Sequence, residues 1–210
     1  MIPPRLVVAT TNRGKVAELT ALVLEWGTVE VLTLEAFPGV VCPEETGATY
    51  VENATLKARA VAAATGVAAL TDDSGLEVDA LAGAPGLHSA RWAGVQASDQ
   101  DRVRGLLAAV ADVPDDRRTA RFVCVAALAW PDGRVHFATG VVHGRIASAP
   151  AGEGGFGYDP VFLPDELAGT FASVPSADKA RVSHRARAVR GLGLALRRCA
   201  RPPVHVRDSQ

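Results

Sequence analysis

The chain has 210 residues, a formal net charge of −1, 48% hydrophobic and 21% charged residues, values of a globular protein long enough to bury a sizeable core. The near-neutral balance excludes a sequence-independent grip on nucleic acid, which relies on many basic contacts to phosphates, and leaves room only for local basic pockets. Three cysteines, Cys42, Cys124 and Cys199, are odd in number and far apart, and give neither a disulfide framework nor a CxxC zinc pattern. No run reaches the ~18 apolar residues of a membrane span, and the opening MIPPRLVVAT has no apolar leader core, so a cytoplasmic location is expected.

Along the chain, RLVVA (5–9) reads as a short strand running into a Thr-Thr-Asn-Arg-Gly turn, after which Val16, Leu19, Leu22, Val23 and Trp26 recur at helical spacing. A second apolar run, VEVLTL (29–34), precedes a loop rich in Pro and Glu from 38 to 48. Thr49 and Glu52 form a capping-box pattern at the start of an Ala-rich helix that should end at Gly66. VAALT (67–71) reads as a buried strand delivering Asp72 and Asp73 to its C-terminal end. After an irregular Gly/Pro segment, Ser98 suits a helix cap ahead of an inner face of Val103, Leu106, Leu107 and Val110. RFVCVAALAW (121–130) and RVHFATGVVHGRI (134–146) flank Pro131-Asp132-Gly133, a hairpin signal. A last, arginine-rich helix begins near Ser183. The expected class is α/β with a mixed sheet, one domain over 1–200 and a loose tail over 201–210.

Chemistry concentrates in four stretches. ATTNRGK (9–15) is a strand-to-helix turn whose free amides, helix dipole and Lys15 suit a phosphate, although a plain capped turn has the same residues and no P-loop pattern is present. EETGATYVENATLKARA (44–60) supplies Glu45 in a loop and Lys57 on the following helix. Adjacent Asp72 and Asp73 are costly to bury, and suit either an acidic turn in water or a hard divalent cation, with Glu45 as a separated third carboxylate. GEGGFGYDP (152–160) contains a literal GxGxxG, but Pro160 forbids the helix a dinucleotide fingerprint must open. What remains is a tight loop offering Phe156 either as a stacking face or as a core side chain. DKARVSHRARA (178–188) groups Lys179, His184 and Arg185, donors for carbonyl or phosphate oxygens if they do not merely form a solvated basic face. Taken together the set describes a site for a nucleotide and Mg²⁺.

At these stretches, in this order and from residue 8 to about 190, the sequence resembles the inosine triphosphate pyrophosphatase family. The resemblance implies a long central mixed sheet with flanking helices in the family's anticodon-like fold, two lobes around a nucleotide cleft, magnesium dependence and a homodimer. It also implies hydrolysis of XTP, ITP and dITP to monophosphate and pyrophosphate. The family's phosphate loop falls on Thr10, Thr11, Asn12, Arg13, Gly14 and Lys15. Its metal site falls on Glu45, Asp72 and Asp73, with Asp73 as proton acceptor. Its substrate contacts fall on Lys57, Ser74, Phe156, Gly157, Tyr158, Asp159, Lys179, His184 and Arg185. Trp92 and the TTN tripeptide depart from the commoner family residues without removing a functional group. A pyrophosphatase for modified pyrimidine nucleotides, a general nucleotide hydrolase and a nucleotide-binding module without turnover are the alternatives.

Overall fold

The computed structural model describes residues 1–199; the expected loose tail lies outside the described residues. Six strands form one mixed sheet in the order β2-β1-β3-β4-β5-β6. β1 (Arg5–Val8), β2 (Glu30–Thr33) and the start of β3 (Ala68–Val78) are parallel, whereas β3, β4 (Thr119–Ala129), β5 (Val135–Ile146) and β6 (Phe162–Pro164) run antiparallel in sequence. The helices are α1 (Arg13–Leu24), α2 (Tyr50–Thr65), α3 (Asp99–Ala109), α4 (Ser176–Val182) and α5 (His184–Arg198). No helix among the described residues is long and apolar enough to cross a membrane.

The sheet end that carries β1 is covered on both faces. Against one face pack Leu19, Leu22 and Val23 of α1 and Val189, Leu192 and Leu196 of α5, all meeting Leu6, Val8 and Leu70. Against the other pack Ala54, Ala58, Val61 and Ala62 of α2, meeting Val7, Ala69 and Ala127. Alanine dominates that helix face because small side chains let the helix lie close on the strands. The far end, where β3, β4 and β5 outrun β1, holds a third cluster of Leu76, Val78, Val103, Leu106, Phe122, Phe162 and Phe171. Thr49 and Glu52 form the anticipated reciprocal cap of α2, which ends at Gly66.

One expectation needs correcting. β3 does not stop at Thr71; it continues to Val78, so Asp72 and Asp73 sit in its middle. The reason is its partner: β4 pairs with β3 residue for residue from Ala69↔Ala129 to Val78↔Ala120. What does end there is β1, whose pairing with β3 stops at Val8↔Leu70. The carboxylates therefore stand where β3 first runs past a shorter parallel neighbour. α4, just before the arginine-rich helix, went unrecognised in the sequence because it has seven residues and too little apolar periodicity to register.

α5 lies so close to β5 that a Cβ on Gly140 would come within 2.1 Å of the His184 carbonyl oxygen and 2.5 Å of the Ala188 nitrogen. Both are backbone atoms, so the helix itself would have to move. Gly140→Ala is expected to lower unfolding free energy by roughly 1–3 kcal/mol, the usual cost of overpacking. Urea denaturation checks this; an unchanged midpoint would show that α5 tolerates displacement.

Candidate active site

Past Val8 the β1-side edge of β3 has no strand to pair with, and buried backbone groups must find partners elsewhere. Leu70 still accepts the Ala9 N–H at 2.8 Å. Beyond it, the Asp72 carbonyl accepts Lys57 Nζ at 2.9 Å, the Ser74 N–H donates to Asp73 Oδ1 at 3.2 Å, and the Leu76 N–H donates to Ser89 Oγ at 2.9 Å. Side chains and the 3₁₀ segment Gly86–Arg91 thus replace the missing strand, and the gap they leave is where charged groups gather.

Because successive strand residues face opposite ways, Asp72 and Asp73 belong to different halves of the site. Asp73 turns to the α2 face. Lys57 Nζ lies 3.7 Å from Asp73 Oδ1 and 2.6 Å from Glu45 Oε1, so one ammonium joins two carboxylates. Asp73 Oδ2 is buried without a hydrogen-bond partner. Burial raises the Asp73 carboxyl above the ordinary aspartate value against the pull of Lys57, and the nearby Glu45 carboxylate adds to the rise. For Glu45 the outcome is opposite: burial would raise it, but the Lys57 ammonium holds it down, and Lys15 and Arg91 assist.

Asp72 turns to the α1/α5 face. Its Oδ2 accepts Nε and Nη2 of Arg185 at 3.1 and 3.0 Å and lies 3.1 Å from Lys15 Nζ. Burial would raise this carboxyl, yet Lys15 and Arg185 hold it well below the usual range. Arg185, only 1% exposed, also donates Nη1 to Glu18 Oε2 at 2.5 Å and Nη2 to Ser74 Oγ at 3.2 Å. Glu18 in turn accepts Lys179 Nζ at 2.8 Å, and Lys179 reaches Asp159 Oδ2 at 2.6 Å. A continuous chain of alternating charge therefore links β3, α1, α4, α5 and the aromatic loop.

Lys15, Ser74, Asp159, Lys179 and Arg185 border a cleft that also receives Asn12, Phe122, Phe156, Gly157, Tyr158 and His184. His184 stacks on Phe122 at a centroid distance of 4.5 Å with 8° between planes. Burial, reinforced by Arg185 and Lys179, keeps its imidazole well below the ordinary value, so it is neutral at pH 7. Phe156 is not a core side chain. Its ring lies 5.0 Å from Lys179 Nζ and 5.5 Å from the Arg185 guanidinium carbon, and sits over Gly14, where a Cβ would approach it to 2.5 Å. Tyr158 is buried and donates its hydroxyl to the Ser89 carbonyl at 3.0 Å, a packing role.

Of the phosphate-loop residues, Asn12 caps α1 by accepting the Lys15 N–H at 3.0 Å, and Thr10 Oγ1 accepts the Asn12 N–H at 3.3 Å. Thr11 and Arg13 are exposed. The three acidic residues expected to share a metal do not converge: among the described residues no group of three or more His, Cys, Asp or Glu side chains is placed to hold an ion. Asp72 is separated from Glu45 and Asp73 by strand alternation; its Oδ2 is engaged by Lys15 and Arg185, and its Oδ1 is buried without a partner on that other face. The pair Asp73 and Glu45, all-oxygen and with one buried acceptor free, fits a hard cation that takes its remaining ligands from substrate and water. Glu18, Ser89, Asp99, Arg102 and Phe122 were missed in the sequence. Only Glu18 carried a signal there, its i,i+3 spacing from Lys15 on one helix face.

Glu18 provides a pH test of the charge chain. Burial raises its carboxyl, but Arg185 and Lys179 win and hold it below its ordinary 4.5. A depressed folded-state value contributes stability above the unfolded value and loses it as pH falls through the folded one. Glu18→Gln is therefore expected to cost about 2 kcal/mol at pH 7, the scale of charged hydrogen bonds. In urea titrations its deficit against wild type should shrink as pH drops below 4.5; a constant deficit would exclude the ion pairs as its source.

Comparison with known proteins agrees with the fold. The family model described as the Ham1 family matches residues 6–193. A protein of Streptomyces coelicolor named dITP/XTP pyrophosphatase is 47% identical over 189 residues, covering 90% of this chain and 94% of the relative. A protein of the same name from Rhodospirillum centenum is 51% identical over 201 residues, covering 92% and 94%. The solved structure of a HAM1 protein from Coxiella burnetii superposes with a TM-score of 0.82 at 39% identity, covering 92% of this chain and 98% of that one. The six-stranded sheet, its flanking helices and the sequence therefore agree that the chain belongs to the Ham1 family.

Proposed function

We propose that the chain is a nucleoside-triphosphate pyrophosphatase that hydrolyses non-standard purine nucleotides, XTP, ITP and dITP, to monophosphate and pyrophosphate. The observation that carries this reading is identity of 47–51% over about nine-tenths of the chain to proteins named dITP/XTP pyrophosphatase. The cleft supports it: Lys15 and Lys179 line it together with an aromatic ring and a neutral imidazole, and Lys57 stands beside Asp73 and Glu45.

In this mechanism Asp73 Oδ2, unpartnered and made more basic by burial, takes a proton from a water. That water's oxygen bonds to the α-phosphorus as the bond to the α–β bridging oxygen breaks, and pyrophosphate leaves. Lys57, already between Glu45 and Asp73, and Lys15 and Lys179 draw the charge that grows on the departing group. Asp73 and Glu45 are the residues that would hold Mg²⁺, which neutralises phosphate charge when bound. Asp72 acts differently: it keeps Lys15 and Arg185 in place.

Base selection follows from donors. Arg185 has four of its five N–H groups engaged by Asp72, Glu18 and Ser74. The remaining N–H, together with His184, suits a 6-oxo purine and opposes the 6-amino group of adenine. The homodimer implied by the resemblance and the cytoplasmic location expected from the sequence belong to the same proposal. Sedimentation at twice the chain mass is the outcome expected for the dimer.

The decisive assay follows pyrophosphate and orthophosphate release from ITP, XTP, dITP, ATP and a modified pyrimidine triphosphate with Mg²⁺. Pyrophosphate from the first three is expected, and chelation should abolish it. Asp73→Asn should lower kcat by about a hundredfold or more, the scale of a lost general base, with little change in melting temperature. Near-normal turnover in that variant would remove Asp73 from the mechanism, and orthophosphate as the product would refute the cleavage position.

A further inference from the structure

Asp99 is the first residue of α3, yet the helix does not need its carboxylate. Ser98 caps the helix, and Asp101 completes a reciprocal capping box. The Asp99 side chain points elsewhere: Oδ2 accepts the backbone N–H of Gly157 at 2.6 Å, and Oδ1 pairs with Arg102 one turn on. Arg102 is itself fixed, since Nη1 donates to the Ala90 carbonyl at 2.9 Å and to the Ala97 carbonyl at 2.7 Å. Asp99 and Arg102 both line the cleft that receives Lys15 and Phe156.

The tip of the aromatic loop is thus held by two carboxylates. Asp159 Oδ2 accepts the Phe156 N–H at 2.8 Å from within the loop. Asp99 accepts the next amide from outside it, anchoring the tip to the wall formed by α3 and the segment before it. Charge-assisted hydrogen bonds of this kind are short and strong. Gly157 has φ +62 and no side chain, and its peptide plane is held from the other side by the Phe156 carbonyl, which accepts the Asp159 N–H at 3.2 Å.

We infer that Asp99, steadied by Arg102, is a positioning residue for purine recognition: by holding the Gly157 amide it sets the plane of Phe156 against which the base lies. The inference rests on the reading of the cleft as a purine nucleotide site. Without the Asp99 carboxylate the tip keeps only its Asp159 anchor, and the Gly157 N–H loses its acceptor. At the phosphate end the ion pairs of Lys15, Lys57 and Lys179 with Asp72, Glu45 and Glu18 do not involve Asp99 and are kept.

The test separates base from phosphate recognition. For wild type, Asp99→Ala and Asp99→Asn, the KM and kcat for ITP are measured beside the inhibition constant of inorganic tripolyphosphate, which has no base. Asp99→Ala is expected to raise KM for ITP about tenfold or more, the worth of a charged hydrogen bond, with kcat within about threefold. Tripolyphosphate inhibition should stay within about twofold of wild type, because no phosphate contact is lost. Asp99→Asn keeps an acceptor for the Gly157 N–H and should recover most of the KM. A parallel rise of KM and of the tripolyphosphate constant, or an unchanged KM in Asp99→Ala, would overturn the inference. Wild-type protein that tripolyphosphate binds but that turns over no ITP would instead overturn the nucleotide reading beneath it.

Discussion

The buried ion pair between Asp72 and Arg185 is the constraint on which the rest of the site depends. Arg185 is 1% exposed and Asp72 2% exposed, and a charge so far from water is tolerable only with its partner in place. The pair fixes the start of α5 against the middle of β3. It thereby decides where His184 stacks, where Lys15 rests and how Glu18 is shared between Arg185 and Lys179. Removing one member would leave the other buried and unpaired, which is why the network behaves as a unit.

Strand geometry then divides the labour between two adjacent aspartates. Asp72 faces the α1/α5 layer, meets an excess of positive charge, and is held ionised as a fixed anchor. Asp73 faces α2, shares its one close cation with Glu45, and keeps an oxygen free. The same residue type, one position apart, becomes a structural anion on one face and a more basic group on the other. Like-charge repulsion between neighbours is relieved because the sheet stands between their carboxylates and each has its own lysine.

The aromatic loop shows a comparable economy. Phe156 rests on Gly14, so the turn between β1 and α1 and the aromatic face touch directly. A side chain at position 14 would push the ring away, which gives that glycine a packing reason separate from any need for backbone freedom. Tyr158 carries the loop's stem into the far core, and carboxylates hold its tip. Apolar packing and polar anchoring therefore act on opposite ends of one short segment.

Much of this was legible in the sequence, because the relevant signals are local. The capping box at Thr49 and Glu52, the Pro-Asp-Gly hairpin, the helix start at Ser183 and the cluster of lysines and acids all depend on spacing along the chain. The mixed sheet and the order of motifs followed, and with them the family. Tertiary structure alone decided what depends on which element ends first. β1 stops at Val8 while β4 carries β3 on to Val78, so Asp72 and Asp73 lie inside a strand and face opposite layers. The two aspartates look equivalent in the sequence because one-dimensional order does not record which side of a sheet a side chain meets. Asp99 stayed hidden for the same reason: its partner, the Gly157 amide, lies 58 positions away and is a backbone group that no residue type announces.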